Sequence, residues 1–320
     1  MNKLTKRQVD IIKGIGIISI TAGHIFSEPV RGFLFLYHVP IFIFISGYLY
    51  KPYPVKKDYF ERKTYSLLLP YAIYMVFFSI PFIMKFLIDG NSQLLISELL
   101  YNSVLGGVYL TGWFSVFWFI TCLFFTQQIF CWLENLGDGK LQFIMGTALL
   151  LSYINYLYFP DIKIPYALNT VFYTLPIFYV GYFISKIKLE VKDRFVFILF
   201  TLTLLLYSLF SKILLIDIKH SDYGVPVLSF FISFIMILTA FKFSLYIDKY
   251  KLLALFFSWL GTSSMTIMYL HQPIQISLKT ILGIKSEMLL TGITILLCLC
   301  INEILKFNKL SKKYLLGVNK

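Results

Sequence analysis

Apolar runs of about twenty residues recur from one end of this chain to the other, and crossing the hydrocarbon core of a bilayer takes about twenty residues of helix. That feature limits the fold more than any other. Ten runs qualify as candidate helices, over 9–27, 33–50, 65–88, 113–132, 141–159, 168–186, 194–216, 224–243, 252–272 and 287–307. Composition agrees. The chain is 58% hydrophobic, 19% aromatic and only 14% charged over 320 residues, where a soluble domain carries about 25% charge. The expectation is an all-α, polytopic transmembrane bundle of about ten helices, one membrane domain over 1–320.

The formal charge of +13 does not point to nucleic acid, because the basic residues sit in short loops between apolar spans. With the N-terminus inside, the inner segments collect 22 of the 29 Lys and Arg residues. These include Lys3, Lys6, Arg7, Lys13, the loop KPYPVKKDYFERK, the loop SKIKLEVKDR and the tail from Lys306. Cytoplasmic loops are enriched in this way, which predicts N-in, C-in topology and an even helix count. The N-terminus reads as an uncleaved first helix rather than a signal peptide, since the cleavage-site match around Ala22 is poor. Cys122, Cys131, Cys298 and Cys300 lie inside apolar runs with no metal-like spacing, so neither a disulfide nor a metal site is expected. The long outer loop Asp89 to Gly112 has no Lys or Arg and reads either as a surface loop or as a re-entrant piece.

Histidines mark the chemistry. His24 and His38 stand on adjacent runs, close to the polar turn Ser27–Gly32. An ionisable residue inside a membrane segment must face a partner or a wet cavity. His271 falls at the outer end of the run 252–272, and Trp118 lies just inside the run 113–132. Asn169, Thr170 and Tyr173 begin the run 168–186. Five helices thus bring polar or aromatic groups to one outer layer. A single histidine there could be a packing residue; three in one layer argue for a site. Lys13 lies about one turn into the first helix, where snorkelling alone would explain it. It precedes His24 by eleven residues, about 16 Å of helix. An elongated donor with phosphates at Lys13 would present its reactive end near His24.

At these residues the sequence resembles the acyltransferase-3 family of integral membrane O-acyltransferases, most closely the fucose 4-O-acetylase-like subgroup. The likeness rests on DIIKGIGII with its basic-x10-His spacing and on FLYHVPIFIFISGYLY. It extends through FERKTYSLLLPY, WFSVFWFITCLF and SMTIMYLHQPI. The resemblance implies transfer of an acyl group, usually acetyl, from cytosolic acyl-CoA to a hydroxyl of a cell-surface or lipid-linked sugar or polysaccharide. It implies a multi-pass protein of the bacterial plasma (inner) membrane, with acetyl-CoA as donor substrate and no metal, and leaves room for a homo-oligomer. It carries over Lys13 and His24, with His38 and Trp118 as site members. One departure stands out: Arg62 and Lys63 occupy the inner loop, but Ser66 stands where a second basic residue of an Arg-x-x-Arg pattern would fall.

Such a reaction needs a base for the acceptor hydroxyl, and imidazole has a suitable pKa. His24 is the expected base and His38 its partner in orienting substrate or sharing the proton; Glu28 reads first as an ordinary turn carboxylate, and would reach back to His24 only if the helix continued. His271, Trp118, Lys13, Arg62 and Lys63 are expected to bind substrate, the last three through CoA phosphates. The competing class is an exporter or flippase-like transporter of a sugar-containing substrate, since buried histidines and aromatics also line transport pathways. Against it stand the lack of an inverted repeat and a basic-x10-His spacing with no use in a carrier.

Overall fold

Breaks in the apolar runs, more than the runs themselves, decide how this bundle is built. The computed structural model describes residues 4–89, 99, 101–187 and 191–318. Its helices are α1 (Lys6–Gly23), α2 (Val30–Phe35), α3 (Pro40–Tyr48), α4 (Lys56–Lys63), α5 (Leu69–Asp89) and α6 (Asn102–Leu105). They continue as α7 (Trp118–Leu133), α8 (Asp138–Tyr158), α9 (Val171–Lys186), α10 (Asp193–Phe210) and α11 (Leu228–Ile247). The chain closes with α12 (Lys251–Thr262), α13 (Ser264–Ile281), α14 (Glu287–Phe307) and α15 (Lys309–Tyr314). Among the described residues there is no strand beyond one isolated bridge, Asp217 to Asp222.

Among the described residues, eight helical spans are long and apolar enough to cross a membrane, nine if the pair α12–α13 counts as one. Ten were expected. The difference is α1, whose first turns carry Lys6, Arg7, Asp10 and Lys13. It is a polar-footed helix buried among the others rather than an apolar lipid-facing one. Thr5 starts it with a capping box, accepting from the Gln8 N–H while the Gln8 side chain accepts from the Thr5 N–H. α1 ends at Gly23, four residues before the expected boundary at 27.

Three other boundaries move. The expected helix 33–50 is two helices, α2 and α3, hinged at 36–39 where Pro40 cannot donate to a continuous ladder. The stretch FERKTYS is helical instead of loop: α4 runs through a π turn, Thr64–Leu68, into α5. The expected helix 252–272 breaks at Ser263 with a bend of 74°. Its second half, α13, runs through Pro273 to Ile281. Of the outer loop 89–112, residues 90–98 and 100 lie outside the described residues. The remainder forms α6 and short 3-10 turns.

α1 is the axis. α12 crosses it where glycines remove the side chains: a Cβ on Gly14 would strike the Phe257 carbonyl, and one on Gly261 the Asp10 carbonyl. A second glycine crossing joins α3 to α9, with Gly47 against the Phe178 backbone and Gly181 against that of Phe44. Small residues let helices approach closely enough for packing alone to hold them in lipid, where burial between helices gains little. Away from these crossings the surface is apolar, with Phe143, Phe197, Leu209 and Leu296 exposed. All four cysteines are free; Cys300 is exposed, while Cys122, Cys131 and Cys298 are buried.

Candidate active site

Two cavities sit along α1, one at each end. The first, of about 120 Å³, is lined by His24, His38, Trp118, Phe119, Arg31 and Lys219 among others. His24 follows the last turn of α1 as its C-cap. His38 sits in the hinge between α2 and α3, its own N–H bonded to the Leu34 carbonyl at 3.0 Å. The break that displaced the expected helix boundary therefore turns this imidazole towards α1. His271 comes from the middle of α13, not from a helix end as expected, because that helix runs on through Pro273 to Ile281. It still reaches the same layer. The His24 ring centroid lies 6.3 Å from that of His38 and 5.4 Å from that of His271. His24 is the middle member of the three.

Hydrogen bonds set the tautomers of the outer two. His38 Nδ1 faces the Leu34 carbonyl at 3.1 Å, and His271 Nδ1 faces the Ile267 carbonyl at 2.8 Å. A carbonyl only accepts, so Nδ1 carries the proton in each ring and Nε2 presents a lone pair. His271 Nε2 is buried without a partner. His271 does not itself line the cavity; it packs on His24. No group of three His, Cys, Asp or Glu among the described residues is arranged to hold a metal ion.

The outer wall comes from a loop the sequence did not single out. Asp217 and Asp222 exchange backbone hydrogen bonds at 2.8 and 3.0 Å, closing a small ring that presents Ile218–His220. Lys219 donates to the Leu110 carbonyl at 2.6 Å and to Ser115 Oγ at 3.0 Å. Burial lowers its pKa to about 8, partly offset by the nearby Asp217. Burial alone would raise the Asp217 carboxyl, but the His220 imidazole at 2.9 Å outweighs it and holds the group below the ordinary value. Arg31 lies over the Phe35 ring at 5.0 Å and also lines the cavity. Nothing marks this loop in sequence beyond one Asp-x-Lys-His run between apolar segments.

Several expected members go elsewhere. Glu28 does not reach His24; its carboxylate accepts from the Gly32 N–H at 3.0 Å. Asn169 donates to Ser221 Oγ at 2.5 Å, and Tyr173 stacks on Tyr223 with centroids 4.2 Å apart. They build a separate buried cluster behind the loop, and Thr170 turns to Cys122 Sγ at 3.1 Å.

The second cavity, of about 560 Å³, gathers Lys13, Arg62 and Lys63 as expected and adds Lys51. Lys13 stays close to Asp10 at 3.4 Å, and Arg62 donates to the Tyr53 hydroxyl. Lys51 supplies the further cation that Ser66 does not; the Ser66 hydroxyl turns to the Lys63 carbonyl at 3.5 Å. Between the two cavities stand two rings. Phe42 borders the cationic cavity, Phe119 the imidazole cavity, and they meet edge to face with centroids 6.1 Å apart. Phe42 lies over Gly16, midway between Lys13 and Ile20, where any Cβ would collide with its ring.

Against known proteins, a family model described as an acyltransferase domain matches residues 6–302, which hold every residue lining these two cavities. Comparison with curated proteins and with solved structures returned no match.

Proposed function

The chain belongs to the acyltransferase-3 family of membrane acyltransferases, and on that premise we propose that it moves an acetyl group from acetyl-CoA to a hydroxyl of a cell-surface or lipid-linked sugar. In this reading it acts in the bacterial plasma membrane, as the fucose 4-O-acetylase-like members of the family do. One observation carries the proposal. A cavity with four cationic side chains and a cavity lined by His24 and His38, with His271 packed on His24, lie along one helix, and the rings of Phe42 and Phe119 meet between them. Phosphates need the first, and removal of a hydroxyl proton needs the second.

The phosphates of the donor rest among Lys13, Lys51, Arg62 and Lys63 on the cytosolic side, and its thioester passes Phe42 and Phe119 towards His24. The acceptor hydroxyl enters from the outer side, against Trp118 and Arg31. An imidazole Nε2 takes the hydroxyl proton as the oxygen forms its bond to the acyl carbon. The carbon–sulfur bond breaks, and the proton passes to the CoA thiolate. The balance is the same if the acyl group first rests on His24. His24, as the central ring, is the base; His38 and His271 orient or relay. The Lys219 ammonium faces the same chamber and offsets negative charge on the carbonyl oxygen in the transition state.

The test is acetylation of surface glycans from labelled acetyl-CoA, in membranes holding equal amounts of wild type and variants. Lys13→Ala is expected to raise the acetyl-CoA concentration needed for half-maximal rate, and His24→Gln to lower the rate at any concentration by about 10²- to 10⁴-fold. Transport of a sugar substrate with no acetylation in wild type would overturn the proposal.

A further inference from the structure

A third cavity, of about 660 Å³, opens at the end of the bundle that carries Lys13. Its position follows from contact: Thr262 borders it, and the neighbouring Gly261 packs on the Asp10 backbone. Three lysines line it, Lys306, Lys309 and Lys312. α14 ends at Phe307, and Asn308 starts α15 by accepting from the Leu310 N–H at 2.8 Å. That break turns Lys309 and Lys312 back to the cavity that Lys306 already lines. A left-handed Gly317 then packs against the Ser66 carbonyl, and the Val318 N–H reaches the Lys312 carbonyl at 3.2 Å. The hook is therefore pinned to the foot of α5.

The floor is polar and internally satisfied. Thr266 donates to Asn302 Oδ1 at 2.7 Å, and Asn302 donates to Ser263 Oγ at 2.8 Å. One carboxylate is near: Glu303 takes Lys306 at 2.7 Å and the Trp259 indole N–H at 2.7 Å. Among the described residues Lys309 and Lys312 have no carboxylate within 4.0 Å. Net positive charge around a cavity of this size calls for an anion.

A second observation says which kind. Ile304 and Phe307 on α14 and Leu310 on α15, interleaved in sequence with Lys306, Lys309 and Lys312, are 65%, 89% and 63% exposed. Exposed apolar side chains next to lysines suit the boundary between hydrocarbon and headgroups. We propose that the cavity is a binding site for one anionic phospholipid, its phosphodiester held by Lys309 and Lys312 and its acyl chains laid against Ile304, Phe307 and Leu310. The lysines lie beyond residue 302, where the family match ends. The site is independent of the acyl-transfer reading and stands or falls without it.

Detergent-solubilised protein would be equilibrated with equal amounts of phosphatidylglycerol and phosphatidylcholine, and the lipid retained on it weighed by native mass spectrometry. Wild type is expected to retain phosphatidylglycerol. The double variant Lys309→Gln, Lys312→Gln is expected to lose that preference by roughly 30-fold, taking about 1 kcal/mol per lysine near a membrane surface. Lys309→Arg, Lys312→Arg should keep it, which separates charge from damage to the hook. Competition on wild type needs no variant: neither inorganic phosphate nor acetyl-CoA should displace the lipid. Equal retention by the Gln and wild-type proteins would overturn the proposal. So would displacement by phosphate, which would make this a free-anion site, or by acetyl-CoA, which would give the cavity to the donor.

Discussion

His24 sits between two imidazoles whose Nδ1 protons are committed to backbone carbonyls. Replacing it by Gln keeps a hydrogen-bonding group and removes the basicity. Transfer should fall by about 10²- to 10⁴-fold, the usual worth of a positioned general base, with insertion and fold unchanged. Near-normal rate in the Gln variant would move the base to His38 or His271. Lys219 gives a pH-dependent test. Its pKa near 8 is set by burial, so it is a cation below that pH and loses its proton as pH rises through it. If its charge serves the transition state, the rate should decline above about pH 8. Lys219→Arg should carry that decline to higher pH, because guanidinium stays charged. An unshifted alkaline limb would leave Lys219 as a strut for Leu110 and Ser115.

Helix breaks divide what could be read in the sequence from what could not. The apolar period shows that a run is helical, but a hinge inside a run costs no hydrophobicity and leaves little trace. Pro40 and Pro273 look alike in sequence; the first opens α3 at its N-terminus, while the second is absorbed inside α13. The histidine layer was legible, because imidazoles are rare in apolar runs and helix length converts to depth. The expected contribution of Asn169 and Tyr173 was not, since equal depth does not mean equal azimuth. The 217–222 wall was hidden for a similar reason: its place depends on two backbone hydrogen bonds, not on composition. The pair Phe42 and Phe119 also emerges only in three dimensions, one from α3 and one from α7. If the pair seals the two chambers, Phe119→Ala should let water reach the thioester. Release of CoA thiol without acceptor should then rise severalfold while acceptor-dependent transfer falls. A variant that releases no more thiol than wild type would remove the rings from that role.

At the scale of the whole molecule, the proposed reaction asks for access from two sides, and α1 links the two cavities. Lys13 and His24 are separated by about 16 Å of helix, and glycine crossings at Gly14 and Gly261 hold that helix against α12. A side chain at Gly14 would meet backbone, which cannot rotate away, so Gly14→Val should push α12 outward and disturb both chambers together. A cost of roughly 1–3 kcal/mol is expected for such overpacking, read as a lower unfolding temperature in detergent and loss of transfer. Direction is the remaining question. The Lys and Arg distribution predicts that both termini and the Lys13 cavity face the cytosol. Donor and acceptor can then meet only if the His24 chamber opens to the opposite side. Single cysteines at Thr5 and at Val318, in a background lacking the four native thiols, give the measurement. Both should resist an impermeant maleimide on intact cells and react once the membrane is opened. A cysteine at His220, an exposed residue in the wall of the imidazole chamber, should be labelled from outside. Labelling at Thr5 from outside would invert the arrangement, put the imidazoles on the cytosolic side, and leave the proposed outer acceptor without a route to His24.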